Sequence, residues 1–213
     1  MKKYFAEFIG TFALVFCGTG AIVINDVTGG TVTHVGIAIT FGLIVTAMIY
    51  AFGKISGAHI NPAVSIAFAV TDRFNEKQIA PYIIAQVGGA IFASAILAFL
   101  FHEHDGLGTT LPAGDWHQTF ILEIILTYFL MVVILFVSQN KAVTKFTGLA
   151  VGFVVLLEAM FAGPITGASM NPARSIAPAL VSGNLTHLWM YIVAPIIGAL
   201  LASATWFLLR EKE

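Results

Sequence analysis

Ser56-Gly57-Ala58-His59-Ile60-Asn61-Pro62-Ala63 returns as Thr166-Gly167-Ala168-Ser169-Met170-Asn171-Pro172-Ala173, and Arg174 follows the second copy. Each copy ends a long apolar run in an Asn-Pro pair, with proline at the first helical position, where an N–H is not needed. The apolar pieces that follow, 61–71 and 171–182, are too short to cross a bilayer, which takes about 20 residues. They read as half-helices preceded by extended backbone. Irregular backbone at membrane depth survives only where it is buried in protein or lines a cavity. Interrupted segments matched between two halves mark a transport path.

Around these two segments lie six runs long enough to span: 4–24, 34–53, 79–101, 116–138, 146–163 and 187–209. The repeat extends into them. Glu7-Phe8-Ile9-Gly10-Thr11 answers to Glu123-Ile124-Ile125-Leu126-Thr127, Gly36 to Phe41 answers to Gly148 to Phe153, and Gly89-Ala90 answers to Gly198-Ala199. Three spans per half is odd, so the second half enters from the opposite face and the repeat is inverted. The chain reads as one channel domain over 1–213, in repeats of about 1–110 and 111–213. The fold class is an all-α membrane protein with six transmembrane helices and two re-entrant half-helices.

Charge gives the orientation. With the N-terminus inside, Lys2, Lys3, Lys54, Arg73, Lys77, Lys141, Lys145, Arg210 and Lys212 are cytoplasmic and Arg174 alone is outer, a strong positive-inside bias. Both termini are expected in the cytoplasm. The run from Tyr4 to Ile24 is too long for a signal-peptide core and carries Glu7. The 213 residues are 58% hydrophobic and 10% charged, against about 25% charged in soluble domains. A net charge of −1 gives nucleic acid no handle, and a single cysteine, Cys17, excludes an internal disulfide.

Half-helices entering from opposite faces meet near the midplane with their N-termini facing, each carrying about half a positive charge. Asn61 and Asn171 take the N-cap, leaving their amide NH2 groups to donate into a pore. Such a midplane admits water or a hydroxyl and opposes cations and protons. Carbonyls of Gly57, Ala58 and His59, and of Gly167, Ala168 and Ser169, are candidates for an acceptor ladder. Glu7 and Glu123 are intramembrane carboxylates and hence functional candidates. His59 reads as a packed, hydrogen-bonded histidine beside the lumen, and Arg174 as exposed to the lumen because buried charge is costly.

The paired Asn-Pro-Ala boxes, the following Arg174, the Glu-x-x-x-Thr pair and the three-plus-three layout resemble the aquaporin and aquaglyceroporin superfamily of major intrinsic proteins, across essentially the whole chain. That resemblance implies a multi-pass cell-membrane channel, homotetrameric with one pore per subunit, passing water and small neutral solutes without catalysis, metal or cofactor. It makes Glu7 and Glu123 braces for the looped backbone. It also places a selectivity filter at Phe41, Ala159, Ala168 and Arg174, where water-selective members usually carry His in place of Ala159. Phe161-Ala162-Gly163-Pro164, Asn171 to Ile176 and Tyr191-Ile192 resemble the nodulin-26-like branch and its bacterial relatives, which implies glycerol and uncharged metalloid acids such as arsenious or boric acid.

Two alternatives stand beside this reading. Ser175, where glycerol facilitators carry Asp, favours a strictly water-selective channel, and Ala159 opposes it. An ion-coupled secondary transporter would need Glu158, Glu7 or His59 in its path. An intramembrane enzyme lacks a His-x-x-x-His or Cys-x-x-Cys pattern, and Arg174 with the positive midplane opposes an ion channel. Glu158 has no assigned role. His102, His104 and His117, near the ends of loop 102–115, read as solvated.

Overall fold

The structure is a computed structural model, and it describes residues 1–210. Lys212, one of the charges used for orientation, and the last residues of the second repeat lie outside the described residues. The α-helices are α1 (Lys2–Val27), α2 (Thr33–Ser56), α3 (Pro62–Val70), α4 (Ile79–Leu100), α5 (Trp116–Val137), α6 (Thr147–Thr166), α7 (Pro172–Ser182) and α8 (Leu188–Leu209). Among the described residues, six helices are long and apolar enough to cross a membrane; α3 and α7 are short. Large apolar side chains such as Phe99, Phe129, Phe153 and Leu157 point outward, as a lipid-facing surface requires.

Helix α1 packs on α2 and α4, and α5 packs on α6 and α8 in the same way. The halves are joined by α2 against α6 and by exchange of the short helices, since α3 lies on α8 and α7 on α4. Glycine sets these approaches. A Cβ on Gly89 would stand 2.1 Å from the Phe8 carbonyl oxygen, and one on Gly198 2.3 Å from that of Ile124. The equivalence of Gly89-Ala90 and Gly198-Ala199 read from the sequence is therefore a matched pair of backbone contacts. Small residues at membrane-helix crossings allow this proximity.

The α2–α6 register differs from the sequence alignment. Gly42 and Gly152 face each other: a Cβ on either would come within 2.6 Å of the other's carbonyl oxygen. Phe41 therefore answers to Val151, not to Phe153, two residues off the Gly36/Gly148 pairing. The string similarity followed residue type, whereas close helix approach is decided by which glycines meet.

The helix ends also run past the apolar stretches. Helix α6 continues through Pro164 to Thr166, beyond the expected end at 163. Proline removes the N–H that would bond the Met160 carbonyl. His34 at the start of α2 supplies the missing donor, with Nε2 2.6 Å from that oxygen. At the other end of the bundle, Arg73 donates to the Leu135 carbonyl (3.1 Å) and the Ser138 hydroxyl (2.8 Å), placing a cation at the C-terminus of α5.

The loop histidines are not all solvated. His104 is largely buried: Nδ1 accepts from the Leu107 amide at 3.0 Å and Nε2 faces Asp26 Oδ2 at 3.2 Å. The loop turns there, with Leu107 at φ +47°, and brings its amide onto the ring nitrogen. His102 and His117 are exposed, as expected.

Replacing Gly89 or Gly198 with alanine is expected to lower the thermal unfolding midpoint of the detergent-solubilised protein by several degrees, because the added methyl meets backbone. Gly53→Ala, whose Cβ meets open space, should leave it unchanged or raise it. Equal midpoints for all three variants would show that these crossings are not limited by backbone contact.

Candidate functional site

Helix α2 ends at Gly57 and α6 at Gly167, both left-handed, with φ of +91° and +83°. The backbone beyond them is not extended as the sequence led us to expect. Ala58 and Ile60 take φ of +47° and +43°, Ala168 and Met170 take +42° and +52°, whereas Asn61 and Asn171 are extended. Left-handed conformations cost non-glycine residues about 1–3 kcal/mol each and persist only when the surroundings impose them. The reason for the difference lies in where the loop amides must point.

Glu7 and Glu123, both wholly buried, are the acceptors that impose it. Glu7 Oε1 accepts from the His59 amide (2.9 Å) and the Ser56 hydroxyl (2.7 Å), and its Oε2 accepts from the Ile60 amide (2.7 Å) and Gln86 Nε2 (2.8 Å). Glu123 repeats the pattern: Oε1 accepts from the Ser169 amide (2.9 Å) and the Thr166 hydroxyl (2.7 Å), and Oε2 from the Met170 amide (2.9 Å). Tyr82 and Tyr191 donate to the carbonyls of Ser56 and Thr166, each at 2.7 Å. Gln86 is the asymmetric member; its counterpart in α8 is Pro195, so Glu123 lacks that donor. These partners went unassigned in the sequence, although a buried glutamine and two matched tyrosines in apolar spans were a readable signal.

Asn61 and Asn171 cap α3 and α7, their Oδ1 atoms accepting from the amides of Ala63 (2.9 Å) and Ala173 (3.0 Å), just inside Pro62 and Pro172. Their NH2 groups are not wholly free. Asn61 Nδ2 donates to the Met170 carbonyl and Asn171 Nδ2 to that of Ile60, both at 2.8 Å. One N–H of each amide thus ties its loop to the opposite loop, and the second remains to donate into the cavity that both residues line.

That cavity runs between the halves and has two unlike walls. Phe41, Val45 and Ile49 line it from α2, and Val151, Val155 and Ala159 from α6, at four-residue spacing. Leu14 and Leu130 add matched apolar faces from α1 and α5. Opposite them stand Gly57, Ala58, His59 and Asn61, then Ala168, Ser169, Asn171 and Arg174. Of the expected loop positions, Gly167 alone is outside the lining; its α face is turned to Thr110, 3.0 Å from where a Cβ would lie.

The four expected filter residues, Phe41, Ala159, Ala168 and Arg174, come together in this lining. Arg174 is not freely exposed to the lumen: it is 1% accessible. Its Nη1 donates to the Gly108 carbonyl at 2.7 Å, and its guanidinium lies 5.2 Å from the centre of the Phe41 ring. The loop carbonyl and the ring face compensate the lost hydration that the sequence reading assigned to the lumen. His59 is packed among Phe68, Phe74 and Tyr82, with Nδ1 3.0 Å from Ser65 Oγ. Ser175 is fully buried, joined to Ser169 and Thr110 hydroxyls at 2.6 and 2.8 Å, and does not line the cavity. Glu158 is buried outside the lining, with Oε2 unpartnered among the described residues.

The family model for "Major intrinsic protein" matches residues 1–206. The chain belongs to the major intrinsic protein family. It is 47% identical to the aquaporin NIP1-1 of Zea mays over 99% of this chain and 75% of that protein. It is 44% identical to nodulin-26 of Glycine max over all of this chain and 79% of that one, which puts it in the nodulin-26-like branch. The X-ray structure of the aquaglyceroporin from Plasmodium falciparum superposes with a TM-score of 0.87 at 28% identity, covering 96% of this chain and 94% of that one.

Exchanging Glu7 for glutamine puts an NH2 group where an oxygen now accepts backbone N–H, leaving a buried amide unpaired at a cost of about 1–3 kcal/mol. Glu7→Gln and Glu123→Gln should each lower the unfolding midpoint and slow solute flux in liposomes. Wild-type behaviour in both assays would show that the carboxylates do not hold the loops.

Proposed function

We propose that this protein is a passive channel for water and small uncharged solutes, with glycerol as a substrate and uncharged metalloid acids such as arsenious or boric acid next in line. The observation that carries the reading is the filter composition. Ala159 and Ala168 present methyl groups where a bulkier or donating side chain would narrow the lumen, while Arg174 supplies donors on one side. An aperture with one apolar and one donating wall suits a solute with carbon on one side and hydroxyls on the other. Membership of the branch that contains aquaporin NIP1-1 and nodulin-26 supports it, as does likeness to an aquaglyceroporin.

The midplane opposes cations. The N-termini of α3 and α7 face each other through Asn61 and Asn171, so the lumen crosses two positive helix ends. A strictly water-selective channel is disfavoured by Ala159. An ion-coupled transporter needs a titrating group in the path, and the candidates are poorly placed for it: Glu7 accepts from four donors, His59 is packed among aromatic rings and bonded to Ser65, and Glu158 stands outside the lining. We place the protein in the cell membrane with both termini cytoplasmic, from the distribution of Lys and Arg over the loops. The assembly we propose is a homotetramer in which each subunit carries its own pore, the repeats 1–110 and 111–213 forming one channel domain.

Stopped-flow light scattering on proteoliposomes tests the reading. Sucrose gradients should give fast water efflux and glycerol gradients fast re-swelling, both independent of an imposed proton gradient. Fast water efflux without glycerol entry would replace the proposal with a water channel, and dependence on the proton gradient with a coupled transporter. Ala159→His should reduce glycerol flux more than water flux; an equal reduction would remove Ala159 from the constriction.

A further inference from the structure

Among the buried residues behind the filter, Gly18 on α1 has no role in the capping, bracing or lining already described. It stands outside the lining, yet a Cβ built on it would lie 2.2 Å from Phe41 Cε1 and 2.5 Å from Cδ1 and Cζ. Phe41 is therefore seated in the space that the missing side chain leaves. Its contact edge faces α1, its ring borders the lumen, and the Arg174 guanidinium lies over it at 5.2 Å. The next residue, Thr19, spends its hydroxyl on the Val15 carbonyl at 2.6 Å and abuts Gly108, where a Cβ would come 2.8 Å from Thr19 Cβ. Gly108 is the residue whose carbonyl holds Arg174. A single turn of α1 thus backs both the aromatic member and the arginine member of the filter.

We infer that Gly18 is a specificity-determining positioning residue: the absence of its side chain sets how far the Phe41 ring stands back from the lumen, and so the largest solute that passes. The inference rests on the channel reading above. A methyl group at position 18 cannot coexist with the present ring, because real Cβ atoms essentially never approach other heavy atoms below 3.0 Å. Moving off α1 takes the ring toward the lumen and Arg174. The effect on flux should grow with solute size, since a narrowed aperture excludes a polyol before it excludes water.

The test uses Gly18→Ala, Phe41→Ala and the double variant in proteoliposomes, with Gly53→Ala as a helix-glycine control whose Cβ meets open space. Overpacking by one methyl predicts a fall in glycerol permeability of about tenfold in Gly18→Ala, with a smaller fall for water. The double variant should match Phe41→Ala alone, because the clash disappears with the ring. An unchanged glycerol-to-water ratio in Gly18→Ala, or a double variant as impaired relative to Phe41→Ala as Gly18→Ala is relative to wild type, would overturn the inference. Should Gly18→Ala fail to reconstitute, recovery in the double variant supports the inference, and failure there as well overturns it. Wild-type glycerol entry is measured first. If it is absent, the solute reading fails by itself, and the same comparisons on water flux decide the role of Gly18.

Discussion

Two buried carboxylates, each accepting two consecutive backbone N–H groups, are the constraint on which the rest of this channel depends. The loops before Asn61 and Asn171 turn through left-handed dihedrals at alanine, isoleucine and methionine, residues that avoid them elsewhere. Local side chains hold part of that path, Ser56 accepting from the Ala58 amide and Thr166 from that of Ala168. Glu7 and Glu123 hold the rest by accepting from the next two amides of each loop, which would otherwise be orphaned in an apolar interior. With the amides drawn outward to the carboxylates, the loop residues and both asparagines are left bordering the cavity. The strain and its compensation are one device, and the polar wall of the lumen is its product.

The opposite wall follows from a different physics. Helices α2 and α6 approach until backbone meets backbone at Gly42 and Gly152, and this fixes which four-residue row of each helix faces the lumen. That row is apolar except for Thr147 at the start of α6, so the lumen has an apolar side and a side that offers donors. At the proposed filter the two walls come close enough for the Arg174 guanidinium to lie over the Phe41 ring.

Much of this was legible in the sequence because it resided in repeated strings. The Asn-Pro-Ala boxes, the Glu-x-x-x-Thr pair and the Gly-Ala pairs recur with their spacing, and each proved to be a site of matched contacts. The α2–α6 register was misaligned because Gly36 and Gly148 share a letter without sharing a role. Tyr82, Gln86 and Gly18 escaped notice for a related reason: their significance is defined by what lies across the bundle. Arg174 was expected to face the lumen; it borders the cavity and also finds a carbonyl and a ring. Those partners arrive from loop 102–115 and from α2, whose approach no local pattern announces.

The distribution of partners between the halves bears on how such a chain is made. Every group that satisfies Glu7 comes from residues up to Gln86, and every one that satisfies Glu123 comes from the second half. Each brace is complete within its own repeat. The bonds from Asn61 to Met170 and from Asn171 to Ile60, and the seats of α3 on α8 and α7 on α4, exist only between repeats. Half of this molecule could therefore satisfy its own buried carboxylate in a bilayer, leave Asn61 or Arg174 short of a partner, and still enclose nothing. The conduit is a property of the union, in the way that two self-supporting half-shells contain no space until they are joined.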